Sequence, residues 1–315
     1  MHWKVKGVVQ GILSHMPFGL AINDQLQLIL GERRHLKEHV HAKVVQDWCV
    51  HVGNLRAVGA RISGKELLEL GTGWLPVLPV CFALAGASRC HSFDLDRKLD
   101  LRRVTALLPL LEPLLPQIAE ASGELPGEVK NRFDYLRAAR DADDMLSRAN
   151  LVYHAPADAR HTGLADHSID IYFSNSVLEH VDATALVGLM REAARVVRLD
   201  GMVSHSVNCG DHYAYFDRRI SKLNYLKFSS AEWRRWNNGI LYQNRLRPVD
   251  FISSAEQAGL AIVARHWHPN ETLLASLPAS AIAAEFRHYS RDDLAATSVD
   301  ILARPRAGYP ADKLA

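Results

Sequence analysis

Along the chain, short apolar runs that end at polar or acidic residues alternate with longer stretches in which apolar residues recur every three or four positions. The first kind predicts buried strands and the second amphipathic helices; their alternation predicts an α/β fold around a mostly parallel sheet. The clearest strand is Lys65-Glu-Leu-Leu-Glu-Leu-Gly-Thr-Gly-Trp74, whose apolar side chains run into Glu69 and two closely spaced glycines. Backbone that leaves a strand and turns at once into a helix needs residues that tolerate positive φ and carry no Cβ where a ligand presses on them. Gly71 and Gly73 supply both. Residues 75–86 then read as the helix, with Pro76 in its first turn, where a missing N–H costs nothing.

Further strands follow. Residues 88–96 predict a second strand closing on Asp94, with Asp96 as the alternative acid, and residues 150–154 predict a third, followed by Ala157-Asp158-Ala159. A fourth carries Ser174-Asn175-Ser176 at its carboxyl end, ahead of the triplet Leu178-Glu179-His180. The next helix is expected to be capped by Asp182 and to bury Leu186, Leu189, Met190, Ala193 and Val197. Residues 195–201 turn into a fifth strand, residues 248–259 predict a helix with a glycine C-cap, and residues 260–268 and 297–303 predict the last two strands. Helical spacing over 101–111 and 128–139, broken by Pro113, Pro116, Gly123, Pro126 and Gly127, marks an insertion between strands two and three. The division expected from this pattern is a helical N-terminal extension over 1–64, a core over 65–208, a cap over 209–247, and a C-terminal part of the core over 248–315.

A dinucleotide fingerprint wants a third glycine at the sixth position of the loop, and Pro76 stands there instead. The stretch resembles motif I of the class I (Rossmann-like) S-adenosylmethionine-dependent methyltransferases, whose pattern is acidic-x-Gly-x-Gly-x-Gly. Glu69, Gly71 and Gly73 fall on it, and Leu75 replaces the third glycine. The later segments are similar to the family in the same order, most of all residues 166–180 and the turn at 195–201. The resemblance implies a seven-stranded, mostly parallel Rossmann-like sheet with helices on both faces, its last strand antiparallel beside strand five, and S-adenosylmethionine as cofactor. It also implies that Glu69, Gly71, Thr72, Gly73 and Trp74 line the cofactor, and that Asp94, beside Leu95, accepts hydrogen bonds from both ribose hydroxyls. Asp158 and Ala159 would flank the adenine amino group, Ser174, Asn175 and His180 would complete the pocket, and the N-terminal extension would pack across it.

Composition narrows the picture without redirecting it. About half of the chain is apolar and 23% charged, with a net charge of +2, as in an ordinary globular protein. Cys49, Cys81, Cys90 and Cys209 show no Cys-x-x-Cys pair or zinc spacing, so reduced thiols and a cytoplasmic protein are expected. No apolar run reaches the length of a membrane span. The first fifteen residues join positive charge to a short apolar segment broken by Gly7, Gln10 and Gly11, which argues against a secretory signal and leaves an amphipathic helix on a membrane or over the site.

Residues 211–247 depart from the average. They gather nine aromatic or histidine rings and set eight cations against three acids. Two readings stand. The cap holds an anionic or glycan- or lipid-linked acceptor, or its arginines form a solvated face over a small aromatic core. Asn208-Cys-Gly-Asp-His212 and Gln243-Asn-Arg-Leu-Arg247 also resemble stretches of bacterial methyltransferases from polysaccharide and lipid-linked glycan pathways.

The implied reaction needs a nucleophile aligned behind an already electrophilic methyl carbon, with water excluded. A hydroxyl acceptor benefits from a general base, and histidine titrates in the right range. Strands four and five deliver His180, His205 and His212 to the sheet's carboxyl edge, where ligands bind in open α/β folds. His212 is the first choice as base and His205 the second. His35, His39 and His41 lack an acidic or cysteine partner at ligand spacing, and the Asp and Asp-Asn pattern of magnesium-dependent catechol methylation is missing, so no metal is expected. The expected activity is methyl transfer to a hydroxyl, less so to an amine, of a small metabolite. The alternatives are methylation of RNA or protein, or a catalytically silent partner subunit.

Overall fold

Leu67, Leu68 and Leu70 are buried on opposite faces of one strand, Glu66–Leu70 (β1), the pattern of a strand interior to a parallel sheet. The computed structural model describes residues 2–18 and 35–309. In it β1 pairs in parallel with β2 (Arg89–Phe93) on one side and β4 (Ile169–Asn175) on the other. β3 (Leu151–His154) lies beyond β2, and β5 (Val197–Asn208) beyond β4. β7 (Ser298–Pro305) is antiparallel to β5 and carries β6 (Leu260–His266), also antiparallel to it, at the sheet's edge. The order 3-2-1-4-5-7-6 is that of the seven-stranded, mostly parallel sheet that the resemblance implies, with its last strand beside strand five.

Alternation along the strands sorts the core into two layers, because successive side chains point to opposite faces. On one face Leu67, Phe173 and Met202 meet Val44, Trp48, Val52, Phe82, Leu107 and Phe133. These come from the N-terminal helical segment 36–57, the helix Val77–Leu84 and the helices of the 101–148 insertion. On the other face Leu68, Leu70, Tyr172 and Val203 meet Leu186 and Met190 of the helix Ala183–Val196, and Phe251 of the helix Pro248–Gln257. Asp182 caps the first of these, its side chain accepting from the Thr184 N–H, as the sequence predicts. Each large apolar side chain buried this way contributes on the order of 1.5–3 kcal/mol.

A third cluster changes the expected division. Tyr213, Tyr225, Leu226 and Trp233 pack with Leu274, Phe286 and Leu294, residues between β6 and β7 that the sequence assigns to the core. Trp3 joins them from the helix Trp3–Ser14, its N–H donating 3.0 Å to Asp217 Oδ2. The cap is therefore assembled from three separate stretches of chain, and the N-terminal extension divides, one helix serving the cap and the 36–57 segment serving the sheet. No described helix is long and apolar enough to cross a membrane.

Candidate active site

The bend after β1 is held from two sides. The Gly71 N–H donates to the Phe93 carbonyl at 2.8 Å, tying the turn to the end of β2. Gly71 has φ +80°, and a Cβ there would lie 2.4 Å from Cγ2 of Val177. Gly73, at φ +71°, has open space where its Cβ would be, with nothing within 4 Å. One glycine thus answers close packing, and the other leaves a clear approach to backbone. Pro76 is the cap of the following helix, which begins at Val77, two residues later than the sequence predicts.

Two carboxylates face this bend. Glu69 is buried and accepts from the Thr72 hydroxyl at 2.6 Å and the Ser92 hydroxyl at 2.8 Å; burial pushes its pKa up to about 7. Asp94 Oδ2 accepts from the Gly73 N–H at 3.1 Å and the Tyr153 hydroxyl at 2.9 Å, and burial raises its pKa too. Asp96 is exposed. Leu95, beside Asp94, is an apolar side chain 71% exposed at the rim. An open glycine backbone, a carboxylate bonded to that backbone and an uncovered apolar side chain fit a ribose and a purine.

The N-terminal segment closes toward the same rim through an unusual stretch of helix. Residues Lys43–Trp48 form a π-helical run within 36–57, a wide turn often found at functional positions. Lys43 Nζ lies 2.8 Å from Asp47, and Asp47 accepts from Asn175 Nδ2 at 3.0 Å, so the segment grips the carboxyl end of β4. The charge of Lys43 also reaches Glu69 and Glu179. Further along, the His39 ring packs 4.8 Å from that of Trp74, which Arg103 flanks on another side. Lys43 and Asp47 carried no motif, and only their four-residue spacing was visible in the sequence.

Other expected positions turn away. Ser174 is fully buried and bonds His205 Nδ1 at 2.8 Å. His205 is 2% exposed with its ring against Tyr172, and burial holds its pKa down at about 3. Both belong to the sheet interior, which removes His205 as a base and Ser174 from the rim. The Asp158 carboxylate is held in a two-pronged pair by Arg160, its nearest contact 2.6 Å, and Ala159 is buried in the core, so Asp158 offers the adenine position a carboxylate already engaged.

His180 and His212 come together instead, ring centroids 4.9 Å apart. His180 Nδ1 lies 2.6 Å from the Tyr242 carbonyl, and the Lys98 charge reaches both His180 and Asp94. His212 Nε2 is buried without a hydrogen-bond partner, 4.0 Å from Oε1 of Glu179. Burial and the neighbouring His180 hold the His212 pKa down at about 3, while burial pushes Glu179 up to about 8. The Glu179 carboxylate also meets no hydrogen-bond donor; its own N–H and that of Asn208 lean on it electrostatically outside bonding geometry.

The segment 243–247 builds this corner. Gln243 accepts the His212 N–H at 3.3 Å, and Asn244 ties down the triplet through bonds to the carbonyls of Leu178, Glu179 and Val181. Arg245 pairs with Glu285 at 2.8 Å, and the fully buried Arg247 donates to the carbonyls of Cys209, Asp293, Leu294 and Ala296. Arg245 and Arg247 are thus internal struts, while Arg218, Arg219, Lys222, Lys227, Arg234 and Arg235 are exposed around the aromatic cluster.

Residues 130–204, spanning β3, β4, the triplet and two thirds of β5, match the family model of a methyltransferase domain. The matched stretch is a methyltransferase domain, carried on a Rossmann-like seven-stranded sheet. No curated protein matches the chain. Among solved structures it is similar to magnesium protoporphyrin IX methyltransferase from Synechocystis PCC 6803 with bound SAH, at 14% identity, 82% of each chain and a TM-score of 0.44. It is also similar to an S-adenosylmethionine-dependent methyltransferase from Mesorhizobium loti, at 15% identity, 80% of this chain and 95% of the other, TM-score 0.41. A third is geranyl diphosphate C-methyltransferase from Streptomyces coelicolor A3(2), at 13% identity, 85% and 83%, TM-score 0.44.

Proposed function

We propose that this methyltransferase transfers the methyl group to a hydroxyl oxygen of a small acceptor seated between the cap and the β4 triplet. The observation that carries the reading is the unpartnered Nε2 of His212, a neutral imidazole lone pair 4.0 Å from Glu179 and inside the protein. A buried lone pair without a donor favours a ligand that brings one, and a hydroxyl does so while an ammonium would first have to lose a proton.

S-adenosylmethionine supplies an electrophilic methyl carbon. Gly73 and Asp94, with Leu95 over the base, hold the nucleoside, and Glu69, Lys43 and Asn175 shape the other end of the cleft. As the acceptor oxygen's lone pair forms the bond to the methyl carbon, the carbon–sulfur pair stays on sulfur. With nothing else bound at the triplet, the hydroxyl proton passes to His212. A carboxylate at Glu179 would stabilise the resulting imidazolium, so the two residues titrate as a pair. The 36–57 segment and the cap exclude water, which keeps the reacting oxygen free of competing hydrogen bonds.

The inward use of Arg245 and Arg247 supports a neutral hydroxyl over a strongly anionic acceptor. The test is a methyl-transfer screen with labelled cofactor over neutral sugars, phenols and lipid-linked alcohols beside matched amines. Label in base-stable ethers supports the reading, and label confined to amines contradicts it.

A further inference from the structure

Three side chains with unused lone pairs converge at the start of the cap. Glu179 is 1% exposed, and neither of its carboxylate oxygens has a hydrogen-bond partner. His212 Nε2 is likewise buried and unpartnered. His180 donates through Nδ1 to the Tyr242 carbonyl at 2.6 Å, which leaves its lone pair on Nε2. One ligand atom from each of the three lies within 4.8 Å of the others.

A carboxylate taken out of water without donors or a cation is expensive. Lys43 acts on Glu179 only at a distance, since its ammonium is bonded to Asp47. The surrounding bonds suit ligands held for a cation: a backbone carbonyl fixing the His180 tautomer is the usual outer contact of a metal-bound imidazole. Asn244 pins the triplet, and Gln243 holds the His212 backbone.

We propose that Glu179, His180 and His212 form a binding site for a divalent transition-metal cation, of the Mn²⁺ or Zn²⁺ type. Two imidazoles and one carboxylate favour these ions over Ca²⁺ or Mg²⁺, which prefer all-oxygen shells. Bonds of about 2.0–2.2 Å to each ligand require the trio to draw together by roughly an ångström. His212 can supply that movement, because it opens a short 3-10 turn, His212–Tyr215. Three protein ligands leave coordination positions open for an acceptor hydroxyl.

The role of this cation rests on the hydroxyl-methylation reading, whereas its binding does not. In the loaded enzyme His180 and His212 are ligands and His212 is no longer the base. A cation there would acidify a bound hydroxyl, whose proton would pass to a hydroxide held at another of the cation's open positions, while its oxygen pair forms the bond to the methyl carbon and the carbon–sulfur pair stays on sulfur. This proposal departs from the expectation from sequence that no metal is used.

The test uses the full chain, stripped with chelator and dialysed, without cofactor or acceptor. Mn²⁺ is titrated in by electron paramagnetic resonance, and bound Zn²⁺ is measured by elemental analysis. We expect one equivalent per chain, with affinity falling at least tenfold in Glu179→Gln and in His212→Asn and unchanged in the exposed-surface control His41→Ala. Absence of stoichiometric binding in the wild type overturns the site, as does binding that both variants retain. Should Glu179→Gln fail to fold by circular dichroism, His212→Asn alone decides. Methyl transfer that resists chelator, with no bound metal, overturns the proposal while leaving hydroxyl methylation standing; metal binding without activity on any hydroxyl does the reverse.

Discussion

His212 Nε2 stands 4.0 Å from Glu179 Oε1, both inside the protein and neither meeting a hydrogen-bond partner. At most thirty-two positions of chain separate His180, His205 and His212, yet the environments of His205 and His212 are opposite. His212 opens toward the cap, and His205 is closed in by Ser174 and Tyr172. His212→Asn should lower kcat by roughly 10²–10⁴-fold. His205→Asn, which keeps an acceptor for Ser174, should stay within a few-fold of wild type and show its effect in thermal unfolding instead. Steady-state kinetics of the two variants, once an acceptor is in hand, checks both.

The two glycines of the bend should separate stability from binding. Gly71→Ala combines positive φ with a 2.4 Å contact to Val177 and should destabilise by about 2–4 kcal/mol. Gly73→Ala meets no atom and should lose only about 1 kcal/mol of stability, while weakening cofactor binding more. Denaturant unfolding and calorimetry on both variants give the four numbers.

Much of this was legible beforehand. Strand periodicity and the Asp182 cap predicted the strands and helices themselves, because those signals lie within a few residues of what they determine, while the sheet they form came only from the family resemblance. The inward turn of Ser174 was legible too, had strand alternation been counted through Tyr172 and Ser174. The grip of Asp47 on Asn175 and of Trp3 on Asp217 was not, since each joins residues more than a hundred positions apart. A run of arginines likewise looks the same in sequence whether it faces solvent or, as Arg247 does, buried carbonyls.

Glu69 gives the fold a pH dependence of known sign. Its folded pKa is raised to about 7 by burial, above its unfolded value near 4.3. The native state therefore holds a proton that the unfolded state releases, so this contribution is present in full below about pH 4 and is lost as pH rises to about 7. Glu69→Gln should remove it. The stability difference between wild type and variant, measured by urea unfolding at each pH, should shift by ~3 kcal/mol between pH 4 and 7.5, and a flat difference would contradict the burial argument.

Arg247 should behave as a strut. It is fully buried and donates to four carbonyls across the cap and the 293–296 turn. Arg247→Lys cannot reproduce that fork and should cost about 3 kcal/mol or more. The preference among acceptors of different charge should not change, and a competition assay with charged and neutral acceptors reads this directly.

The account depends most on the cofactor lying against Gly73 and Asp94. Calorimetric titration of S-adenosylmethionine into wild type and Asp94→Ala tests it: the account predicts an affinity loss of about 1.5–3 kcal/mol in the variant, with its fold intact by circular dichroism. Equal affinity in the two proteins would contradict it.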